Sequence, residues 1–427
     1  LEAPQVMLIA GSNNHVVVDE GARISSIGMG EPAYDASSGY FGQTAANVLA
    51  VSNGMLEITS SAVTTSAGSI RVADGASLHS EGALAFISNG AVQLSGEADY
   101  GGKYINLSTG SFNIGGAEAL AEADTQGILP TGITLNQTVL ERLMAGSTAS
   151  GVPAGEREVL TASQQINFYG SVDMDVGSGA GGDALQLVLN APALYGHGGD
   201  GDAVSISAGT LVWNGIVTQS GSGPSASYGT IQPGAPIAGG PGYGTGTLNL
   251  IADTLVLGYQ DGVATYHNET LDRLALGFST VNLVALERIV SGEKGSLSVW
   301  QSQAVHGEPG TGGTLNLVAP VVTGKAGSVF SYRTGGELTL RAPEGAVPVD
   351  NIEAALGAEI RLNAAGIAAD TAIALPSGRL VMTATQGDIA LEGGAVIDMA
   401  GRATEFFDET RYSWGGDVVL ESAHGDV

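Results

Sequence analysis

Cysteine is absent from the 427 residues, which excludes disulfide staples and any thiolate metal centre. Basic residues are scarce: 15 Lys and Arg stand against 43 Asp and Glu, a formal net charge of −28. Nucleic acid and anionic membrane surfaces are poor partners for such a chain, because both are held by clustered cations. No apolar run approaches the ~18 residues of a membrane-spanning helix, and no signal-peptide pattern opens the sequence. Proline numbers 14, and four of these (Pro224, Pro233, Pro236, Pro241) fall in one stretch, 221–246. Catalytic signatures are missing too. There is no HExxH helix and no G-x-S-x-G elbow, and the six histidines (His15, His79, His197, His267, His306, His424) show no i, i+3 or i, i+4 pairing.

Glycine is abundant, with 66 residues, about twice the usual ~7%, and 43% of residues are hydrophobic. The clearest pattern runs from Gly312 to Pro343. Leu315 and Leu317 alternate with polar residues, a Gly-Lys-Ala-Gly turn follows, and Gly335-Gly336 restarts the alternation at Leu338 and Leu340. Period-two alternation reads as strand with one face buried, and paired glycines supply tight corners. The apolar pairs Leu315/Leu317, Leu338/Leu340, Ile360/Leu362, Leu380/Met382 and Val418/Leu420 begin 23, 22, 20 and 38 residues apart (338−315, 360−338, 380−360, 418−380). A period near twenty, with the last step read as two of 19, predicts a β-solenoid whose coils bury their apolar rows by stacking. Some fifteen to twenty coils would make a rod ~70–100 Å long.

The expected organisation is β-helix coils over 1–114, a helical insertion over 115–165, coils over 166–220, a Gly/Pro-rich surface loop over 221–246, and coils over 247–427 with an insertion near 259–280. Within 115–165 a helix is predicted over Ile133–Gly146, with Asn136 as its N-cap and Val139, Leu140, Leu143 and Met144 as its apolar face. Further helical segments are expected at Thr270–Leu276 and, more weakly, at Ile352–Leu356. Tyr34–Phe41 reads as a long loop and Leu56–Thr59 as a strand. Leu1-Glu2 starts mid-pattern and Gly425-Asp426-Val427 ends strand-like, so an interior fragment of a longer protein is expected.

Three groups of residues could carry chemistry. His197-Gly198-Gly199-Asp200-Gly201-Asp202 approaches a calcium-binding glycine-rich repeat, but Ala203 stands where the next Asp is required and no tandem copy follows; a carboxylate-bearing turn is the better reading. Asp173 and Asp175 share a strand face, as paired glycosidase acids might, yet no basic residue is patterned with them and a solvated face is favoured. Trp213, Trp300 and Trp414, with Tyr195, Tyr228, Tyr243 and Tyr259, could stack on sugars, although in a solenoid such residues more often pack the core or a loop. No catalytic, cofactor-binding or metal residue is nominated.

The repeated GG-T-L-N-L-x-A-P unit, TLNQTVLERLMAG followed by REVLTASQQINFYGSVDMDV, PIAGGPGYGTGTLNLIADTLVLG and the closing GGDVVLESAHGDV together resemble the large exoproteins of the filamentous haemagglutinin family, over about residue 100 to the end. The resemblance implies an all-β, right-handed parallel β-helix with short helical and loop insertions, exported by two-partner secretion to the bacterial surface. It further implies a non-enzymatic adhesive, aggregative or stalk role, with an outer-membrane secretion partner and a host or bacterial surface glycan or protein as ligand. The family's Asn-Pro-rich secretion motifs have no counterpart, since Asn-Pro does not occur in the chain. A polysaccharide-degrading enzyme or a carbohydrate-binding module on the same scaffold is the alternative.

Overall fold

The computed structural model describes residues 1–30, 47–56, 67–145, 151–152, 155–176, 185–220, 227–258, 270–302, 310–346 and 355–427. The expected loop Tyr34–Phe41, the strand residues 57–59, the loop residues 221–226, the insertion residues 259–269 and the helical residues 352–354 lie outside these.

The strands wind into a parallel β-solenoid, with each coil contributing to up to three walls, A, B and C. One inward column on wall A shows the principle. Val6, Val51, Leu84, Ile105, Glu158, Leu187, Leu211, Leu255, Ile289, Val322, Ile373 and Ile397 are successive register partners. On wall C the matching column is Val172, Val204, Leu248, Val281, Leu315, Leu338, Ile367 and Ile389. Every member of the wall C column is buried. Each such aliphatic side chain contributes ~1.5–3 kcal/mol by leaving water, and it can do so only because the coils above and below cover it. Among the described residues only Asn47–Ser52 is reversed within the stack, antiparallel to both Gln5–Ala10 and Ala83–Ile87.

The expected leucine stacking is largely present, with one exception. Leu315/Leu317 lie under Leu338/Leu340 on wall C, whereas Ile360/Leu362, Leu380/Met382 and Val418/Leu420 stack on wall B. The 22-residue step from Leu338 to Ile360 therefore crosses between walls and is not a coil. The 38-residue step from Leu380 to Val418 is one long coil, not two of 19. Its surplus includes the antiparallel hairpin Ala403–Phe406/Glu409–Tyr412. Coils consume more residues than the apparent period because insertions leave at their corners. The twelve levels of the wall A column, at ~4.8 Å each, span about 53 Å, shorter than the sequence spacing suggests.

Outside, polar side chains repeat in the same register. Asn249 donates to Ser205 at 3.1 Å, Asn282 to Asn249 at 2.7 Å and Asn316 to Asn282 at 2.7 Å, and the Thr339 hydroxyl donates to Asn316 at 2.5 Å. The N of each T-L-N-L unit is thus one rung of an amide ladder running along the rod. The paired glycines are required where backbones stack at a corner. Gly312 and Gly313 have φ of 65° and 80°, and a Cβ on Gly336 would lie 2.3 Å from the Gly313 carbonyl oxygen.

Two helices interrupt this pattern. α1 (Ala117–Thr125) lies outside the wall, packing Leu120 and Ala123 against Ile128 and Tyr169. α2 (Gln137–Ala145) begins where expected, with Asn136 Oδ1 accepting the Val139 N–H at 3.0 Å. It does not lie on the wall. Its Val139, Leu140 and Leu143 belong to the main core, and the helix contacts Asp99–Gly101, Ile133–Asn136 and Val172–Asp175, so it replaces one rung of wall C. Strand Arg157–Tyr169 returns to the coil pattern before the expected boundary at 165.

The two insertions also disturb wall B. Strand Ile133–Asn136 slots between Ala91–Leu94 and residues 112–115, giving wall B one more level than its neighbours. Further along, the described residues of 215–245 supply no wall B strand, so Ala193–Tyr195 pairs directly with Leu274–Leu276 of a non-successive coil. The helix expected at Thr270–Leu276 is instead strand Leu271–Leu276, paired on both sides. Its alternation was masked by Arg273 occupying an inward position, which left Leu271, Leu274 and Ala275 at helix-like spacing. The insertion expected near 259–280 accordingly ends before this strand, and residues 278–280 open another, Phe278–Ser291.

Modularity is testable. Excising 315–337 removes 23 residues (338−315) and one strand from each wall while leaving Val281 under Leu338, Ile289 under Ile373 and Leu297 under Leu362. The shortened chain is expected to melt cooperatively and to be about 4.8 Å shorter by small-angle scattering, whereas excising 315–326 alone should abolish the cooperative transition.

Candidate functional site

Asp173 and Asp175 point outward from wall C and are exposed. Asp173 lies at the foot of the amide ladder, beside Ser205 in register, and Asp175 accepts a 2.8 Å hydrogen bond from the Ser207 hydroxyl. They are two rungs of polar exterior, each carboxylate standing beside a serine of the next coil. The His197–Asp202 turn is likewise self-contained. Asp202 accepts from the Gly199 N–H and the Ser171 hydroxyl, each at 2.8 Å, and Asp200 accepts from the Thr245 hydroxyl. Among the described residues no group of three or more His, Asp or Glu could hold a metal ion, and no helix is long and apolar enough to cross a membrane.

The aromatic residues divide sharply. Trp213 and Tyr195 are core residues, Trp213 donating to the Ala191 carbonyl at 3.0 Å and Tyr195 to the Gly234 carbonyl at 2.7 Å. Trp300 is half-buried against Ala193, Tyr195 and Leu276. Tyr243 and Trp414 are 59% and 91% exposed, which leaves these two free to stack on a ligand. Tyr259, His267 and His306 lie outside the described residues, as does the side chain of Tyr228.

Two buried ionisable residues carried no sequence signal. Glu158 occupies the wall A column between Ile105 and Leu187, is 1% exposed, and neither carboxyl oxygen has a hydrogen-bond partner. Burial alone pushes its pKa up to about 7, because an apolar surround penalises the charged form. Arg273 occupies an inward position on wall B below Leu297 and Tyr332. Its Nε donates to the Trp213 carbonyl at 2.7 Å and Nη1 to the Leu271 carbonyl at 3.0 Å, and its guanidinium lies 5.5 Å from the Phe330 ring centre. Both were invisible beforehand because a charged residue in an alternating strand ordinarily marks the outward side.

One concavity is built by both insertions. α1 forms one side with Glu118, Glu122 and Gln126, the coil corners Gly170-Ser171 and His197–Gly199 with Asp202 form the floor, and Tyr243–Thr245 form the far side, enclosing about 670 Å³. The far side is fixed by backbone. The Gly242 and Gly244 N–H groups donate to the Gly196 carbonyl at 2.9 and 3.1 Å, and the Thr245 N–H donates to Gly198 at 2.8 Å. Gly244 must be glycine here, since a Cβ would lie 2.8–2.9 Å from backbone atoms of Gly198, Gly277 and Gly196. The GGPGYGTG stretch is therefore a strap pinned to the wall, not a free surface loop.

Comparison with known proteins finds no matching family model, no matching curated protein and no matching solved structure.

The buried pair gives two expectations. The folded state holds the Glu158 proton more tightly than the unfolded chain does, so this residue's contribution is most favourable below pH ~4.5 and is lost as pH rises to about 7, a cost of about 3 kcal/mol above that. Glu158→Leu should exceed the parent in stability by about that amount at pH 8 in urea unfolding, with the gap narrowing at pH 5; a pH-independent gap would contradict the assignment. Arg273→Ala should cost about 3–5 kcal/mol, through a cavity and the loss of two guanidinium hydrogen bonds, and a loss under ~1 kcal/mol would mean that the guanidinium does not hold this corner.

Proposed function

We propose that the chain is a rigid spacer segment of a large exported bacterial surface protein of the filamentous haemagglutinin kind. In this reading its coils wind right-handed, it reaches the surface through an outer-membrane secretion partner, and it holds an adhesive region that meets a glycan or protein away from the cell. The observation that carries the reading is the register itself: inward columns continue from coil to coil on all three walls, while insertions are accommodated at corners or as a single wall rung. Such a body resists bending because every coil is hydrogen-bonded along its length to the next. Right-handed winding follows the strong preference of parallel strand crossovers. Absence of cysteine suits a chain that must cross membranes unfolded before it coils. The non-enzymatic reading is favoured over a polysaccharide-cleaving one by the surroundings of Asp173 and Asp175, which both lie exposed on a strand face beside Ser205 and Ser207, without the contrast in burial that separates acid from base in a glycosidase pair.

A replacement experiment tests the spacer role. In bacteria displaying the chain within its surface protein, exchanging it for an unrelated solenoid of equal length should leave export and adherence intact. Adherence that disappears while surface display persists would overturn the proposal, as would turnover of any polysaccharide by the purified chain.

A further inference from the structure

The cleft between α1 and the strap has properties that a plain spacer does not require. Along 240–246 every residue is buried or half-buried except Tyr243. Its backbone neighbours are pinned by the hydrogen bonds to Gly196 and Gly198, so the ring is presented from a fixed point rather than from a mobile loop. A rigid, exposed aromatic costs little conformational entropy to use in binding.

The polar groups facing it are unbalanced. Glu118 and Glu122 are exposed and stand one helical turn apart on α1, a spacing that brings their Cβ atoms to ~5–6 Å. No Lys or Arg lines the cleft. Most side-chain donors present are engaged: Gln126 donates to Glu122 at 2.8 Å, Ser171 to Asp202, and Thr245 to Asp200, which leaves the imidazole of His197, set edge-on to Tyr169 at the floor, as a further donor. Asp202 is satisfied by its own turn and serves to shape the floor. What the two facing walls chiefly offer a ligand is the carboxylates of α1 and the ring of Tyr243. A saccharide hydroxyl both donates and accepts, and would find few donors here. A guanidinium donates from five N–H groups, accepts none, and lies flat against an aromatic ring while forking to carboxylates.

We propose that this cleft binds the arginine side chain of a peptide segment, its guanidinium stacked on Tyr243 and hydrogen-bonded to Glu118 and Glu122. The chain's excess of acid, −28 overall, would draw such a partner in, but the cleft differs from the rest of the acidic surface in pairing carboxylates with a fixed ring.

The test is an NMR titration of the whole chain with blocked arginine (N-acetyl-arginine amide), with blocked citrulline, its uncharged near-isostere, as the control. Arginine should shift the amide signals of 118–126 and 242–245, and citrulline should bind at least about tenfold more weakly. Tyr243→Ala should weaken arginine binding about fivefold and the double variant Glu118→Gln/Glu122→Gln about tenfold. Glu405→Gln/Glu409→Gln, removing the same charge from the distant hairpin, should change nothing. All substituted side chains are exposed, and unchanged melting would confirm that the variants fold. Equal binding of citrulline, equal weakening by the hairpin variant, or preferential binding of glucosamine would each overturn the proposal, the last in favour of a sugar site.

Discussion

Register between stacked coils is the constraint on which the rest of this structure depends. Side chains alternate across each wall, so a one-residue slip would turn a whole inward row to solvent. Residues may be added at corners at modest cost, because loop closure rises only slowly with length, but not within a strand. This explains how coils as different as the 20 residues from Ile360 to Leu380 and the 53 from Ile105 to Glu158 can share one core, and why the hairpin at 403–412 leaves the stacked columns undisturbed.

Much of this was legible in the sequence because the constraint writes itself as alternation. TLNLIADTLVL and TLNLVAPVV read as the same wall, and Leu248 and Leu315 do occupy one column, with Val281 between them. Asn136 as a helix cap was equally plain. What failed did so for physical reasons. Walls B and C carry the same Leu-x-Leu signature, so spacing alone could not assign Ile360 to a different wall from Leu338. Strand Leu271–Leu276 was disguised by its inward arginine. The site was hardly readable: Tyr243 could be named as exposed-type aromatic chemistry, but its approach to Glu118 and Glu122 crosses more than a hundred residues of chain, and nothing in local pattern brings α1 beside the strap.

The two inward-facing ionisable residues sharpen the same lesson. Wall A accepts a carboxyl at Glu158 because the column position is fixed by eleven other members, and the protonated form fits where the ionised one does not. Arg273 is tolerated differently, its guanidinium donating to the carbonyls of Leu271 and Trp213, the latter shared with the Gly258 N–H. A fold assembled from redundant rungs can carry a poor fit at one level that a single small core could not.

The strand Ile133–Asn136 and the coil without a wall B strand have a joint consequence. The first advances wall B by one level against walls A and C, and the second restores the match; they behave as dislocations of opposite sign in a one-dimensional crystal. Among the described residues wall A later omits a level with no such counterpart, Val321–Thr323 pairing directly with Ala372–Ala374 while wall B keeps Glu359–Ala364 and wall C keeps Leu338–Arg341, so the stack also carries an unmatched step. The helical segment and the strap, by contrast, are matched steps in wall B despite the coils that separate them in sequence, and the cleft lies where the two meet.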